Sequence, residues 1–374
     1  MDKKDTIAVV GAGISGLAAA IALRKIGKDV KIFEQASGFK RVGAAINMTP
    51  NAVKALDGLG LGESIRNIAY IPPFRISRSW DTGLETSRVK LGNAAQNKYG
   101  APSLLMHRAD LLNALEDSVP PQLIHMNKKL VRVKNEGNSV KLEFEDGSSF
   151  ISNGAVGADG IHSIVREQLF GLDAPKFAGM SAYRSIISAE LLDGQDLSNF
   201  VKWWGPIPQS QIVTFLINRG NEFFVFATMP DVEGVVESWS TEGNIKALRS
   251  HFSDFHGDAR TVLDACGATL QTALYERNPL GRWSKGEVTL IGDACHAMMP
   301  FMAQGAAMGL EDAVVLSRCV DTSEDWSTAI QRYEETRMER VYQIQLGSNQ
   351  NNWLRNSGDP SWVYSYDAWK VALR

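Results

Sequence analysis

The sequence predicts an α/β fold in which a helix-covered parallel sheet is joined to a second, mostly antiparallel β domain and to C-terminal helices. The first observation is a β-branched run that passes through a glycine-rich turn into an Ala- and Leu-rich helix. The second is a change, from about residue 180 to about residue 275, to alternating strands without such turns. The third is a helical pattern over roughly the last fifty residues.

The N-terminal segment "TIAVVGAGISGLAAAIALRKIGKDVKIFEQ" has the order strand, turn, helix, strand. We expect a strand from Thr6 to Val10, a helix from about Ser15 to Ile26, and a second strand from Val30 to Phe33. A lone GxGxxG also occurs in ordinary loops, but here strand, helix and a following acid are all in place. The segment therefore predicts a Rossmann-like dinucleotide-binding domain.

Three glycines and one acid of this segment suit a bound dinucleotide. Gly11 permits the tight turn, Gly13 lets the backbone approach a pyrophosphate, and Gly16 lets the helix pack on the strand. The helix N-terminus favours phosphate charge, and Glu34 is placed to accept hydrogen bonds from ribose hydroxyls. The pattern does not distinguish NAD from FAD.

The elements downstream are predicted by the same signals. A helix is expected near Pro50 to Leu59, a strand runs into a helix with Arg108 at the junction, and another helix starts at about Ser163. The second domain has one predicted helix, near Ile245 to Phe255, and "GEVTLIGDACH" returns the chain to the first domain. The predicted boundaries are 1–70, 100–178 and 276–322 for the nucleotide domain, 71–99 and 179–275 for the second domain, and 323–374 for the C-terminal helical segment.

Composition excludes several classes of protein. The 374 residues include 39 Lys and Arg against 42 Asp and Glu, with a formal net charge of −3, so we expect no nucleic-acid partner and a small-molecule substrate instead. No stretch approaches the roughly 18 apolar residues that a membrane span needs, and the glycine-broken N-terminus does not fit a signal peptide. Three widely spaced cysteines favour a reducing compartment. We expect a cytoplasmic enzyme that is a monomer or homodimer.

Three motifs in order carry a family resemblance: the GxGxxG segment, "GADG" at 157–160, and Gly292-Asp293. Together they resemble the signature of the single-component FAD-dependent aromatic hydroxylases, the class A flavoprotein monooxygenases, whose fold is p-hydroxybenzoate hydroxylase-like. The resemblance covers nearly the whole chain. It implies FAD as cofactor, NADH or NADPH as electron donor, and transfer of oxygen from O2 through a flavin C4a-hydroperoxide to a hydroxylated aromatic or N-heteroaromatic acid.

The resemblance also implies which residues contact the cofactor. In the family, the middle motif is associated with both FAD and NAD(P)H, the Gly-Asp motif holds the ribityl chain, and the segment after it runs beside the isoalloxazine. The implied FAD-contacting residues are Gly11, Gly13, Ser15, Gly16, Glu34, Arg41, Arg108, Asp159, Asp293, Pro300, Gly305 and Ala306. No metal is expected, because the six histidines do not occur in a 2-His-1-carboxylate or HExxH spacing.

Within the family, "GDACHAMMPFMAQGAAMGLEDA", "VKWWG" and "DPSWVYSYD" resemble the decarboxylating hydroxylases, namely salicylate hydroxylase and 6-hydroxynicotinate 3-monooxygenase. The expected substrate-pocket residues are Asn47, Ser210, Thr214, Phe301 and Met302. The expected catalytic positions are Asn47, Thr214, Pro300 and Phe301. Asn47, Ser210, Thr214 and Phe301 stand where the hydroxynicotinate enzyme carries ionisable or phenolic groups. The reaction type therefore transfers better than the substrate, and a carboxyl-free phenol or another heterocycle is an alternative.

Several residues have two interpretations. Cys295 and His296 resemble a nucleophilic pair, but adjacent side chains seldom face each other, so we favour a structural role. Lys202 either packs on an edge strand, which we favour, or faces a substrate carboxylate. Arg184 either faces the ring or forms a surface ion pair, the commoner case. The Met- and Phe-rich stretch 298–302 either excludes water or fills the core.

Two other functions compete with hydroxylation. A plain NAD-linked dehydrogenase needs only one Rossmann site and a polar catalytic pair, and the second and third motifs argue against it. A non-catalytic module on the same scaffold has no need to keep GxGxxG together with Glu34 and Asp293. Both are therefore less favoured than a flavin monooxygenase.

Overall fold

The computed structural model describes residues 5–39, 44–231 and 241–374 of the chain. In chain order the strands are β1 Thr6–Val10, β2 Asp29–Phe33, β3 Ala45–Met48, β4 Phe74–Ser79, β5 Glu85–Lys90, β6 Leu104–His107, β7 Ile124–His125, β8 Leu130–Asn135, β9 Val140–Phe144, β10 Ser149–Ser152, β11 Gly154–Gly157, β12 Lys176–Ser188, β13 Phe200–Trp204, β14 Gln211–Ile217, β15 Glu222–Pro230, β16 Leu270–Glu276, β17 Ser284–Lys285 and β18 Val288–Leu290. The α-helices are α1 Ile14–Lys25, α2 Pro50–Leu59, α3 Gly62–Arg66, α4 Gly92–Tyr99, α5 Arg108–Asp117, α6 Ile164–Phe170, α7 Ile245–His251, α8 Gly257–Ala265, α9 Asp293–His296, α10 Gly305–Asp321, α11 Trp326–Gln350 and α12 Ser361–Tyr364.

The first sheet has six strands in the order β17-β18-β11-β1-β2-β7. Neighbouring strands from β18 to β7 are parallel, and β17 alone is antiparallel to its neighbour. Strand β1 lies at the centre and runs straight into α1, whose Ala- and Leu-rich face is buried in the main core. The predicted α/β class is confirmed, and β18 returns the chain to this sheet where the sequence predicted it.

The second large sheet has seven strands in the order β16-β12-β15-β14-β13-β4-β5. All its neighbours are antiparallel except β4 and β13, which are parallel. One face, the outer face, packs on α7 and α8. The other, the inner face, packs against the two-stranded β3–β6 sheet. The remaining strands, β8 to β10, form a small antiparallel sheet.

The prediction of one helix near Ile245 to Phe255 is wrong in its extent. Helix α7 ends at His251, and α8 starts at Gly257. The side chain of His256 accepts a hydrogen bond from the Asp258 N–H at 3.4 Å and thereby caps a new helix start.

The C-terminal region is helical mainly in α11, and beyond Gln350 the described chain forms turns and the four-residue α12. Trp353 meets Trp362 edge to face, with ring centroids 5.8 Å apart, so these rings pack on each other. Helix α10 packs on α1, α11 packs on α10, and both helices contribute residues to the main core. None of the described helices has the length and apolar character that crossing a membrane requires.

Candidate active site

The GxGxxG turn is held by contacts that only glycine permits. Gly11 has φ +101°, and a Cβ there would overlap the carbonyl of Ala158. A Cβ on Gly16 would overlap the Gly11 carbonyl, whereas one on Gly13 would meet nothing within 4 Å. The first and third glycines therefore serve packing, and the second leaves open space at the start of α1.

Glu34 ties the end of β2 to this turn. Its Oε2 accepts a hydrogen bond from the Ala12 N–H at 2.8 Å, and its Oε1 accepts one from the Ala36 N–H at 2.8 Å. The carboxylate is only half-buried and keeps further acceptor capacity, because each carboxylate oxygen has two lone pairs. It is thus fixed beside the open start of α1.

Ser15 is where the first and third motifs meet. A Cβ built on Gly292, which has φ +60°, or on Gly309 would overlap the Ser15 side chain. This close approach brings the Gly-Asp turn against the start of α1. Asp293 follows Gly292 as the first residue of α9, and its side chain is exposed.

Two helix N-termini open into this region without protein partners of their own. Neither α1 nor α10 has a side-chain cap or an acidic residue in its first turn. Such a terminus leaves N–H donors unsatisfied and carries partial positive charge. Gly305 and Ala306 are the first two residues of α10, and a Cβ on Gly305 would lie 3.8 Å from Asp293 Oδ1. Pro300 is exposed nearby in sequence.

Two arginines, the half-buried Arg108 and the buried Arg184, connect this region to the seven-stranded sheet. Burial lowers the pKa of Arg108, the first residue of α5, and the nearby Asp293 carboxylate raises it. Burial, and then the charge of Arg108, lower the pKa of Arg184 to about 10. Arg184 is 6% exposed, so the expected surface ion pair is wrong: this side chain is buried in the sheet.

The middle motif forms a cross-link between segments. The Asp159 carboxylate accepts hydrogen bonds from Ser163 Oγ at 2.5 Å and from the Val165 N–H at 3.1 Å, which caps α6. Burial raises the pKa of Asp159 despite these bonds. Arg166 is buried and donates to the Cys295 carbonyl at 2.8 Å. The segment that carries the middle motif thus stabilises the third motif through the hydrogen bond from Arg166 to the Cys295 carbonyl. A contact between Asp159 and FAD stays a prediction.

A buried charge network under the third motif was missed in the sequence. His296 Nε2 lies 2.6 Å from Asp312 Oδ2, which also accepts from the Gly292 N–H at 3.0 Å. Arg337 donates to Asp312 at 2.8 Å and to Glu311 at 2.6 Å, and all three side chains are fully buried. The signal was the acid pair in the otherwise apolar "AAMGLEDAVVL". His296 is therefore structural, as the sequence favoured.

A second set of hydrogen bonds fixes the start of α10. The Asn51 Nδ2 donates to Glu311 Oε1 at 2.8 Å and to Gln304 Oε1 at 2.9 Å. Gln304 Nε2 in turn donates to Thr49 Oγ1 at 2.8 Å. Because these side chains are buried, they hold α2 and the N-terminus of α10 in one geometry.

Thiol chemistry tests the structural interpretation of Cys295. Cys266, Cys295 and Cys319 are all buried and unpaired, and burial raises the pKa of each thiol, that of Cys319 to about 11. We expect no thiol to react with an aromatic disulfide reagent at pH 8 in the native protein, and all three to react in guanidinium. Rapid labelling of Cys295 in the native protein, located by peptide mass, would contradict this expectation.

The structure brings Asn47 and Phe301 to the inner-face side of the seven-stranded sheet. Asn47 pairs with Leu105, which packs on the inner face, and its Oδ1 is buried without a hydrogen-bond partner among the described residues. Phe301 is 8% exposed and packs with Met180 and Met299.

Three predicted pocket residues lie elsewhere. Thr214 lies opposite Val225, which belongs to the outer-face core under α7 and α8, because a strand reverses its face at every residue. Ser210 Oγ bonds His251 Nε2 at 2.7 Å, at the end of α7. Met302 belongs to the main core, where a Cβ on Gly347 of α11 would lie 3.0 Å from its sulfur. Their assignment to the pocket, and the catalytic role of Thr214, are corrected accordingly.

Arg41, which the resemblance implies as a contact of FAD, lies outside the described residues.

The inner face instead presents residues that the sequence left undecided. Strand β13 lies between β14 and β4, so the expectation of an edge strand is wrong. Trp203 faces the outer core, where it stacks on His256. Lys202 and Trp204 face the other way and are buried, with Gln211 directly opposite Trp204. Among the described residues, no cluster of three or more His, Cys, Asp or Glu side chains has the arrangement of a metal site.

Several known proteins are similar to this chain in sequence or in fold. The chain is 35% identical over 377 residues to 6-hydroxynicotinate 3-monooxygenase of Bordetella bronchiseptica, covering 100% of this chain and 98% of the relative. It is 33% identical over 346 residues to 3-amino-4-hydroxybenzoate 2-monooxygenase of Streptomyces cremeus, covering 92% and 86%. The fold matches a salicylate hydroxylase substrate complex with TM-score 0.85 and 24% identity, over 98% and 97% of the two chains.

The family match extends over most of the chain. Residues 4–345 match the family described as FAD binding domain. This stretch includes all three motifs, the charge network beneath them and the whole seven-stranded sheet. The chain therefore belongs to the FAD-dependent aromatic hydroxylases, the class A flavoprotein monooxygenases, and is a FAD-dependent monooxygenase.

Proposed function

We propose that this protein uses NAD(P)H and O2 to hydroxylate a hydroxylated aromatic or N-heteroaromatic acid. One observation carries the proposal: Phe301, in the segment after the third motif, packs on Met180 of the seven-stranded sheet, and the charge of Asp293 acts on Arg108, whose charge in turn acts on Arg184 of that sheet. The nucleotide domain thus provides the residues that border the cofactor, and segments 71–99 and 179–275 provide residues that border the substrate.

The residues present fit FAD. The open start of α1 at Gly13 suits a pyrophosphate, and Glu34 beside it suits the adenosine ribose. Asp293, exposed at the end of the Gly-Asp turn, suits a ribityl hydroxyl. The N–H groups of Gly305 and Ala306, at an uncapped helix start, suit the pyrimidine oxygens and the negative charge of a reduced flavin.

When bound, FAD supplies the redox chemistry, taking two electrons from NAD(P)H and activating O2 for insertion of one oxygen atom into a ring. The chain positions and shields this reaction. Phe301, Met299 and Met180 form an apolar cluster that keeps water from the reacting atoms. The unpartnered Asn47 Oδ1 can accept a hydrogen bond from a ring hydroxyl, which orients the substrate and favours electron donation into its ring.

Two product outcomes are compatible with this site. In simple hydroxylation, Ar–H, O2, NAD(P)H and a proton give Ar–OH, water and NAD(P)+. In decarboxylating hydroxylation, the carboxylate leaves as CO2 from the carbon that receives the hydroxyl, and a further proton is consumed. The relative named for 6-hydroxynicotinate favours an acid substrate, and the apolar Phe301, at a position where that enzyme is expected to carry an ionisable or phenolic group, favours a substrate different from that compound.

The test combines cofactor content, electron donor and product mass. We expect the purified protein to be yellow and to release FAD on denaturation. NADH or NADPH oxidation should quicken with one member of a panel of hydroxybenzoates and hydroxypyridine carboxylates, and product mass should show either one oxygen gained or a carboxyl exchanged for a hydroxyl. A colourless protein without FAD in its extract would exclude this function.

Replacement of Asp293 with alanine should weaken FAD binding roughly 10- to 100-fold, because one charge-assisted hydrogen bond to the ribityl chain is lost. The side chain is exposed, so the fold of the FAD-free protein should remain. Flavin titration of FAD-free protein measures the effect. The matched control is Asp117→Ala, an exposed acid at the end of α5, which should leave FAD affinity unchanged. Equal FAD affinity in Asp293→Ala and wild type would contradict the assignment.

A further inference from the structure

The inner face of the seven-stranded sheet carries three adjacent buried side chains with unmet hydrogen-bonding capacity. Lys202 and Trp204 are alternate residues of β13, and Gln211 of β14 lies opposite Trp204. Their exposures are 2%, 4% and 1%. Among the described residues, Trp204 Nε1 and both amide atoms of Gln211 have no hydrogen-bond partner. Buried polar groups are seldom left without a partner, so a ligand or an ordered water is expected to complete them.

The Lys202 ammonium is held in a fixed place. Its Nζ donates to Asn351 Oδ1 at 3.1 Å and lies 3.6 Å from the centroid of the Trp204 ring. Asn351 is itself oriented, because its Nδ2 donates to the Pro208 carbonyl at 2.6 Å. The Phe301 ring, 5.4 Å from Nζ, lies on the side of the third motif. The ammonium thus sits between the sheet and the segment proposed to border the flavin.

No carboxylate in the described part of the chain forms an ion pair with Lys202. Within residues 5–39, 44–231 and 241–374, no carboxylate oxygen lies within 4.0 Å of its Nζ. The nearby charges that act on it are Arg75 and Arg355, which, after burial, lower the pKa of Lys202 further. A buried cation without a counter-ion is strongly unfavourable, and a bound anion would offset much of that cost.

We propose that Lys202, Trp204 and Gln211 form a carboxylate subsite that binds the acid group of the aromatic substrate and makes Lys202 a specificity-determining residue. The three side chains offer an ammonium, an indole N–H and an amide N–H, a set of donors that suits a carboxylate with its several lone pairs. Gln211 Oε1 and Asn47 Oδ1 remain as acceptors, which suits a ring hydroxyl or N–H on the same ligand. The subsite rests on the proposed function, because it places this acid beside the flavin.

The test compares acids with their uncharged amides on the FAD-loaded protein. The probes are salicylate and salicylamide, 3-hydroxybenzoate and 3-hydroxybenzamide, and 6-hydroxynicotinate and 6-hydroxynicotinamide. Dissociation constants come from the flavin difference spectrum. In wild type we expect at least one acid to bind about 10-fold or more tightly than its amide. In Lys202→Gln, which keeps a donor for Asn351, acid binding should weaken about 100-fold and amide binding under about 3-fold.

A second variant separates ligand binding from folding. Gln211→Leu removes an amide with no partner, so the free energy of unfolding should stay equal or rise, while acid binding weakens about 3- to 10-fold. Lys370→Met, with a side chain 83% exposed, is the matched control and should change neither quantity.

The contrary outcomes are distinct. The subsite is overturned if no acid in the panel binds wild type more tightly than its amide, or if Lys202→Gln keeps that preference. It is also overturned if Gln211→Leu loses stability without losing acid affinity, since that result indicates a packing role. FAD content of the same samples reports separately on the proposed function: a colourless wild type removes that function, whereas a yellow wild type without acid preference contradicts the subsite alone.

Discussion

Replacing Arg337 with methionine should lower the free energy of unfolding by about 3–5 kcal/mol, the cost typical of removing one partner from a buried ion network. Arg337 is fully buried and donates to Asp312 Oδ1 at 2.8 Å and to Glu311 Oε2 at 2.6 Å. Arg340 still reaches Glu311 at 2.9 Å, but among the described residues Asp312 keeps only His296 and the Gly292 N–H as hydrogen-bond partners. In the variant, the buried Asp312 carboxylate therefore lacks the positive charge and the hydrogen bond of Arg337 that stabilise it in wild type.

The measurement is guanidinium unfolding at pH 7 of protein with and without FAD. Arg282→Met is the control, because Arg282 is exposed and its loss should change the free energy of unfolding by no more than about 0.5 kcal/mol. We also expect FAD affinity to fall in Arg337→Met, since Asp312 holds the Gly292 N–H and so the Gly-Asp turn. A loss of stability below about 1 kcal/mol would show that the network does not depend on Arg337.

The same network sets the direction of the pH dependence of stability. Burial opposes ionisation of Asp312, but the positive charges of His296 and Arg337 outweigh it, so its folded-state pKa is lowered. Arg340 and Arg337 similarly hold the pKa of Glu311 below its usual value. A lowered folded pKa contributes stability above the unfolded-state pKa of about 4, and that stability is lost as pH falls through the folded pKa. Wild type should therefore lose more stability below pH 4 than Arg337→Met does.

The fold was predictable because its signals are local. The glycine spacing after β1 reports a turn and a close helix–strand approach, and the structure has both at Gly11 and Gly16. The strand preceding Gly292 is short and apolar, and it joins the first sheet as predicted. Helix starts with a Pro or Ser signal, at Pro50 and Ser163, also lie where the sequence places them.

The substrate side was less predictable because it depends on register and tertiary contacts. Side chains along a strand point to alternate faces, so an error of one residue in choosing a pocket position selects the wrong face of the sheet. Thr214 is such a case, because it lies on the outer face under α7 and not on the inner face. Nothing in the sequence around Lys202 distinguishes it from an exposed surface lysine. The assembled sheet shows that it is buried and that no described carboxylate forms an ion pair with it. Glu311 and Asp312 had a visible signal, two acids in an apolar helix, but their partner Arg337 is distant in the chain.

A matched pair of glycine variants should separate packing from cofactor contact in the GxGxxG turn. Gly16→Ala places a methyl group onto the Gly11 carbonyl, so we expect a loss of about 3 kcal/mol in the free energy of unfolding of the FAD-free protein. Gly13 has φ −75°, and a Cβ there meets nothing within 4 Å, so Gly13→Ala should change that free energy by at most about 1 kcal/mol.

In Gly13→Ala we expect a large loss of FAD affinity and little loss of stability. Its methyl group points into the space where the pyrophosphate is proposed to approach the backbone, so FAD affinity should fall about 10-fold or more in a protein of nearly unchanged stability. Flavin titration and guanidinium unfolding on the same FAD-free samples give the two quantities. If Gly13→Ala binds FAD as tightly as wild type, the pyrophosphate does not lie at the start of α1. If Gly16→Ala keeps full stability, the turn relaxes around a side chain there, and close packing is not what requires glycine at position 16.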